Sequence, residues 1–159
     1  MIILDQVTKF WITLHIPRHY SISVVEGFFN LTHIRNPGVA FGLFASHESE
    51  YKVLFFVVTS LIAIIAILII FHQSPENKKA ARIGLILIFS GAVGNLIDRI
   101  VFKEVIDFLD FFYNGFHWPA FNIADSCITI GVSFMMYDLF FGYPEKTNIS
   151  NPPNKSEQL

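Results

Sequence analysis

VLFFVVTSLIAIIAILIIF, residues 53–71, is a run of nineteen residues in which only Thr59 and Ser60 are polar. At the helical rise it spans about 28 Å, close to the thickness of a bilayer's hydrocarbon core. It predicts a transmembrane helix over 51–71. Downstream, residues 80–101 (AARIGLILIFSGAVGNLIDRIV) form a second apolar run, and Asn95, Asp98 and Arg99 crowd its C-terminal end, within reach of an interface or a cavity. A third, 121–141, carries Asp125 near one end and Asp138 near the other, about 20 Å apart along a helix axis. Upstream, residues 1–16 read as a fourth helix containing Asp5 and Lys9. Sixteen residues cover only about 24 Å, so this helix reads as clipped at its start. A cleavable signal peptide is the rival reading, but there is neither a basic n-region nor a small-residue cleavage site after Ile16.

The rest of the chain agrees with a membrane setting. With 53% hydrophobic and 16% aromatic residues in 159, the chain has more apolar surface than one soluble core of this size hides. Lys and Arg are scattered apart from Lys78-Lys79, and the formal net charge is -2, so no nucleic-acid partner is expected. The single Cys127 supports neither a disulfide framework nor a thiolate metal cluster. Lys78, Lys79 and Arg82 lie in the short segment 72–82 against one acid, Glu76, which puts that loop in the cytoplasm and the segments 17–50 and 102–120 outside.

Within 17–50, the runs at 21–25 and 28–34, separated by Gly27 and ended by Asn36-Pro37-Gly38, suggest small strands lying on the membrane. The aromatic-rich 102–120 reads in part as an interfacial helix, and its rings between Phe108 and Trp118 as a lid over a site. Residues 143–159, rich in Pro, Asn and Ser, are expected to be a disordered cytoplasmic tail. The sequence thus predicts an all-α polytopic membrane protein. It has a single membrane-embedded domain, 1–142, with four transmembrane helices, a small extracytoplasmic β-element and an interfacial helix or loop.

Ionisable groups inside spans are costly and usually mark function. Asn95, Asp98 and Arg99 share one helical face, as do Asn122 and Asp125, and Asp107 and Asp110 lie in the loop between those two helix ends. Asp5 and Lys9, four residues apart, can pair on the first helix, more often as a structural than as a reactive pair. The candidate reactive pair is Asp107 with Asp125. Two carboxylates in one site do not both ionise easily, so one keeps a proton while the other activates water, the division of labour an aspartic peptidase needs. Periodicity alone does not separate this pair from Asp98 and Asp110.

Other chemistries find less support. No His-Glu-x-x-His is present, although His117 could ligate a metal with Asp107 and Asp110, and Ser126 lacks a Gly-x-Ser-x-Gly context and an obvious base. Gly84, Ser90, Gly91 and Gly94 fit close helix packing. A small proton-coupled transporter relaying protons through Asp98, Asp125 and Asp138 is the alternative reading. It is disfavoured because the middle of each apolar run is bare of acids and the polar groups gather at one interface.

Five blocks in order, DQVTK (5–9), NPGVAFG (36–42), GNLIDR (94–99), VIDF (105–108) and FNIAD (121–125), resemble those of bacterial lipoprotein signal peptidase, signal peptidase II. In that family the first helix begins further upstream of the DQVTK block, and a valine is commoner at the position of Ile106. The resemblance implies an aspartic endopeptidase of the bacterial inner membrane, multi-pass, with its active site facing the periplasm and its termini in the cytoplasm. Its substrate would be a diacylglyceryl-prolipoprotein, cut on the amino side of the modified cysteine. Asp107 and Asp125 would be the catalytic dyad. Asn36, Gly38, Asn95, Arg99 and Asn122 would shape the site and position substrate, and Asp5, Lys9 and Asp98 would support the fold around it. No metal or other cofactor is implied. Membrane lipid and a globomycin-type inhibitor are the other expected partners, and a monomer is expected.

Overall fold

The computed structural model describes residues 1–38 and 50–142. Each apolar run lacks an internal proline and becomes a helix: α2 spans Glu50–Gln73, α3 Lys79–Phe102 and α4 Ile123–Phe141. These three are long and apolar enough to cross a membrane. The first helix, α1 (Ile2–His15), is about 21 Å long and is not among them; it ends where Ile16 turns extended before Pro17, as the residue ahead of a proline prefers. Leu54, Ile62, Ile65 and Phe140 are each more than half exposed, an outer surface suited to hydrocarbon rather than water.

The central helix pair is α3 with α4, brought together by glycine. A methyl group on Gly84 would lie 2.6 Å from the Gly131 carbonyl oxygen, and one on Gly91 would collide with the Ala124 carbonyl oxygen. Gly94 is equally confined, between Asp5 Oδ2 and the Ala124 methyl. The packing role expected of Gly84, Gly91 and Gly94 is therefore direct contact with α4 and α1, whereas the Ser90 hydroxyl only donates to its own helix at the Ile86 carbonyl. At the far end, Lys78 in the α2–α3 connection approaches Asp138 at 3.9 Å, and Arg82 donates to the Ser74 carbonyl at 2.8 Å.

Above the helices lies a four-stranded antiparallel sheet in the order β1 (Ser21–Val25), β2 (Phe29–Asn36), β3 (Val105–Tyr113), β4 (Phe116–His117). The strands expected at 21–25 and 28–34 are β1 and β2, joined through Gly27 at φ +77. The interfacial helix expected within 102–120 is a correction, because that segment is β3, a tight turn and β4. Its sequence VIDFLDFFY is β-branched and aromatic, and Asn114-Gly115, both at positive φ, makes the hairpin turn such a pair favours. Phe108 sits in the core with Ile12, Ile16 and Ile106, and Phe111 stacks on Phe29 and Phe121, so neither ring is a free lid element. The segments 39–49 and 143–159, with the expected tail and the end of the NPGVAFG block, lie outside the described residues.

Candidate active site

Three segments meet where the sheet joins the helices. The outer end of α3 presents Asn95, Asp98 and Arg99, β3 presents Asp107, and the first turn of α4 presents Asp125, with Asn122 as its N-cap. Asn122 and Asp125 form a reciprocal capping box, an arrangement readable from their three-residue spacing.

The four carboxylates that spacing left equivalent are not equivalent in space. Asp98 is fully buried against Lys9 Nζ at 2.9 Å, and Asp110 accepts from Asn30 at 3.0 Å and pairs with His117 at 2.8 Å. Asp107 and Asp125 are instead held by neutral amides. Asn36 Nδ2 donates to Asp107 Oδ2 at 2.9 Å and Asn122 Nδ2 to Asp107 Oδ1 at 2.8 Å. Asn95 Nδ2 donates to Asp125 Oδ1 at 2.7 Å, and the Asn122 N–H reaches Asp125 Oδ2 at 3.3 Å.

Chemistry fixes the direction of all three asparagines. The Oδ1 of each faces a group that can only donate: the Gly38 N–H for Asn36 at 2.9 Å, Lys9 Nζ for Asn95 at 3.0 Å, and the Asp125 N–H for Asn122 at 2.9 Å. Each amide is thereby compelled to turn its NH2 toward a carboxylate. Gly38 contributes in two ways, since its φ is +85 and an added methyl would strike the Phe56 ring. Burial is the main force on Asp107 and pushes its carboxyl up to about 6; the amide of Asn36 opposes that rise and the charge of Asp125 adds to it.

Behind Asp107 and Asp125 is a buried ionic cluster. Lys9 Nζ lies 2.8 Å from Asp5 Oδ2 as well as 2.9 Å from Asp98 Oδ2. Asp5 Oδ1 accepts the Ala124 N–H at 2.9 Å, and Asp98 Oδ2 accepts the Ile106 N–H at 3.1 Å. Those two amides immediately precede Asp125 and Asp107, so each supporting carboxylate holds the backbone next to one member of the pair. Gln6 was not foreseen as part of this cluster. Its Nε2 bridges Asp5, Asp98 and the Gly94 carbonyl at 3.1 Å each; the sign available was its place inside the DQVTK block. Arg99 donates to the Asn95 carbonyl at 3.4 Å and lies 5.6 Å from the Phe56 ring, at the edge of the site. His117 belongs with Asp110, while Asp107 faces the asparagines, so the three do not form the metal-ligand set considered from sequence.

The chain is similar to many known proteins. The family model described as Signal peptidase (SPase) II matches residues 1–141. The lipoprotein signal peptidase of Desulforapulum autotrophicum is 49% identical over 141 residues, covering 89% of this chain and 87% of its own. That of Syntrophus aciditrophicus is 46% identical, covering 92% and 91%. A solved structure, a bacterial membrane enzyme determined by the in meso method, superposes with a TM-score of 0.79 at 34% identity, covering 95% of this chain and 89% of that one. With the match running from α1 through α4 and enclosing every residue of the buried site, the chain belongs to the signal peptidase II family.

Proposed function

We propose that this protein is an aspartic endopeptidase that removes the signal peptide from diacylglyceryl-prolipoproteins, cutting on the amino side of the lipid-modified cysteine, with Asp107 and Asp125 as the catalytic dyad. The observation that carries the reading is a single residue bonded to both carboxylates, with its side chain on Asp107 Oδ1 and its backbone N–H on Asp125 Oδ2. Asn122 donates to Asp107 and accepts from the backbone of Asp125, at the junction of sheet and membrane helices. In this reading water attacks the scissile carbonyl as one carboxylate takes its proton, while the protonated partner polarises the carbonyl and then protonates the leaving amine. Asn36, Asn95 and Asn122 fix the carboxylates, and Arg99 lines the site edge and positions substrate.

The placement suits the substrate. Acyl chains on the cysteine stay in the bilayer, so the adjacent peptide bond reaches the protein near headgroup depth, the level at which α4 begins. The domain 1–142 would be one membrane-embedded unit in which α1 acts as the fourth span. The sheet would face the periplasm and the Lys78–Arg82 end the cytoplasm of a bacterial inner membrane, as would both termini. A monomer is the form we propose. Neither a metal nor nucleic acid has a part in the reaction, and a globomycin-type peptide would occupy the same cleft.

Cleavage of a diacylglyceryl-modified prolipoprotein peptide tests the proposal. Asp107→Asn and Asp125→Asn are each expected to lose at least about 100-fold in kcat, while chelator leaves the wild type unaffected and globomycin blocks it. Near-wild-type turnover by either variant would sink the dyad.

A further inference from the structure

Asp107 and Asp125 each accept two hydrogen bonds, yet what lies behind those bonds differs. The amides on Asp107 are oriented by backbone N–H groups, of Gly38 for Asn36 and of Asp125 for Asn122. The amide on Asp125 is oriented chiefly by an ammonium, Lys9 Nζ, at 3.0 Å from Asn95 Oδ1, with the neutral Asn122 NH2 as a second donor to the same oxygen at 3.2 Å. A cation on the oxygen of an amide polarises its N–H and strengthens what that N–H donates. Asp125 also stands at the third position of α4, where the helix dipole favours an anion; Asp107, on a strand, has no such help.

The charged groups around Asp125 are Asp5 and Lys9 from α1, Arg99 from α3 and Asp107 from β3, with Asp98 behind them on Lys9. Asp5 and Asp98 are both tied to Lys9. We propose that Lys9 is a positioning residue for the reaction: by capturing Asn95 Oδ1 it holds the Asn95 N–H on Asp125, so that Asp125 is the ionised, water-activating member and Asp107 carries the resting proton. This assignment rests on the dyad reading above.

Two measurements on the full chain decide it. First, isotope-edited infrared spectra at about pH 5, one unit below the raised Asp107 value, are compared for the wild type, Asp107→Asn and Asp125→Asn. The neutral-carboxyl stretch is expected to vanish in Asp107→Asn and to survive in Asp125→Asn, because burial is the largest cause of the Asp107 rise. Loss of the signal in Asp125→Asn instead overturns the assignment. If both variants lack cleavage and the signal sits on the wrong residue, only this inference falls; if either variant cleaves, the dyad reading itself falls.

Second, Asn95→Asp keeps an acceptor for Lys9 but removes the obligatory N–H. Turnover should fall about tenfold or more at neutral pH and recover on acidification, as the introduced carboxyl regains a proton to donate. Wild-type turnover, or a loss equal at every pH, overturns the relay. The Lys9→Met/Asp98→Asn pair removes the ammonium together with one of the two carboxylates it pairs, so the net charge of the cluster is unchanged. With KM within about twofold, kcat should drop about tenfold, and adding Asn95→Ala should cost nothing further. Multiplying losses would show that Lys9 does not act through Asn95. Should that pair fail to fold, Asn95→Asp and the infrared spectra decide alone.

Discussion

At the scale of single residues, the site is a set of asparagines whose freedom to flip has been taken away. An asparagine amide is nearly symmetric in shape, and only a partner restricted to donating can fix it. Gly38 N–H, Lys9 Nζ and Asp125 N–H are such partners, one for each asparagine. The consequence for pH follows from Asp107, raised from 3.8 to about 6 chiefly by burial. In the proposed dyad one proton is shared; with Asp107 holding it, kcat/KM of the free enzyme falls as pH rises through about 6. Bound substrate excludes more water from the carboxyl, which lifts the same group further, so the alkaline limb of kcat should lie at higher pH than that of kcat/KM. Paired pH profiles on one lipopeptide check this, and a kcat/KM flat across that interval would contradict it.

At the scale of elements, the α3–α4 contact sets the distance over which Asn95 reaches Asp125. A methyl group on Gly91 would press on the Ala124 carbonyl oxygen, one residue from Asp125, while one on Gly131 would press on the Gly84 carbonyl oxygen about two turns inward. Both changes should cost stability, about 1–3 kcal/mol each, by overpacking. Gly91→Ala should in addition lower kcat about tenfold or more, and Gly131→Ala much less; thermal unfolding and turnover measured together separate the two effects, and equal losses of turnover would refute the local argument. These helices were legible in advance because runs such as 53–71 are too apolar to be anything but a span, and the four-residue spacing of Asp5 and Lys9 announced their pairing. That Asp98 would be the third member of that cluster was not legible, since it depends on how α1 lies against α3. The expectation of an interfacial helix in part of 102–120 fails at β3 because VIDFLDFFY is apolar at both parities and buried through most of its length, so the alternation that marks a half-buried strand is missing. The Asn114-Gly115 hairpin pair was the sign to weigh instead.

At the scale of the whole molecule, the proposed cleavage of a lipid-bearing substrate requires the cleft to be registered against the bilayer, and in the proposed orientation the β3–β4 hairpin lies at that boundary. Phe111 and Phe112 are engaged, stacked on Phe29 and His117, but Tyr113 and Phe116 are each 76% exposed and Trp118 is 64% exposed. Aromatic side chains left outside a core at the level of the headgroups act as interfacial anchors. Replacing Tyr113, Phe116 and Trp118 together by Ser should leave folding intact, because these side chains are not part of the buried core. For a lipopeptide presented in vesicles, KM should rise about tenfold, equivalent to about 1.4 kcal/mol of anchoring shared among three rings. In small detergent micelles, where there is no bilayer plane to align with, the same variant should match the wild type. A KM that rises equally in both media would mean that the rings touch substrate itself, and the hairpin would then have to be counted as a wall of the cleft rather than as its mooring.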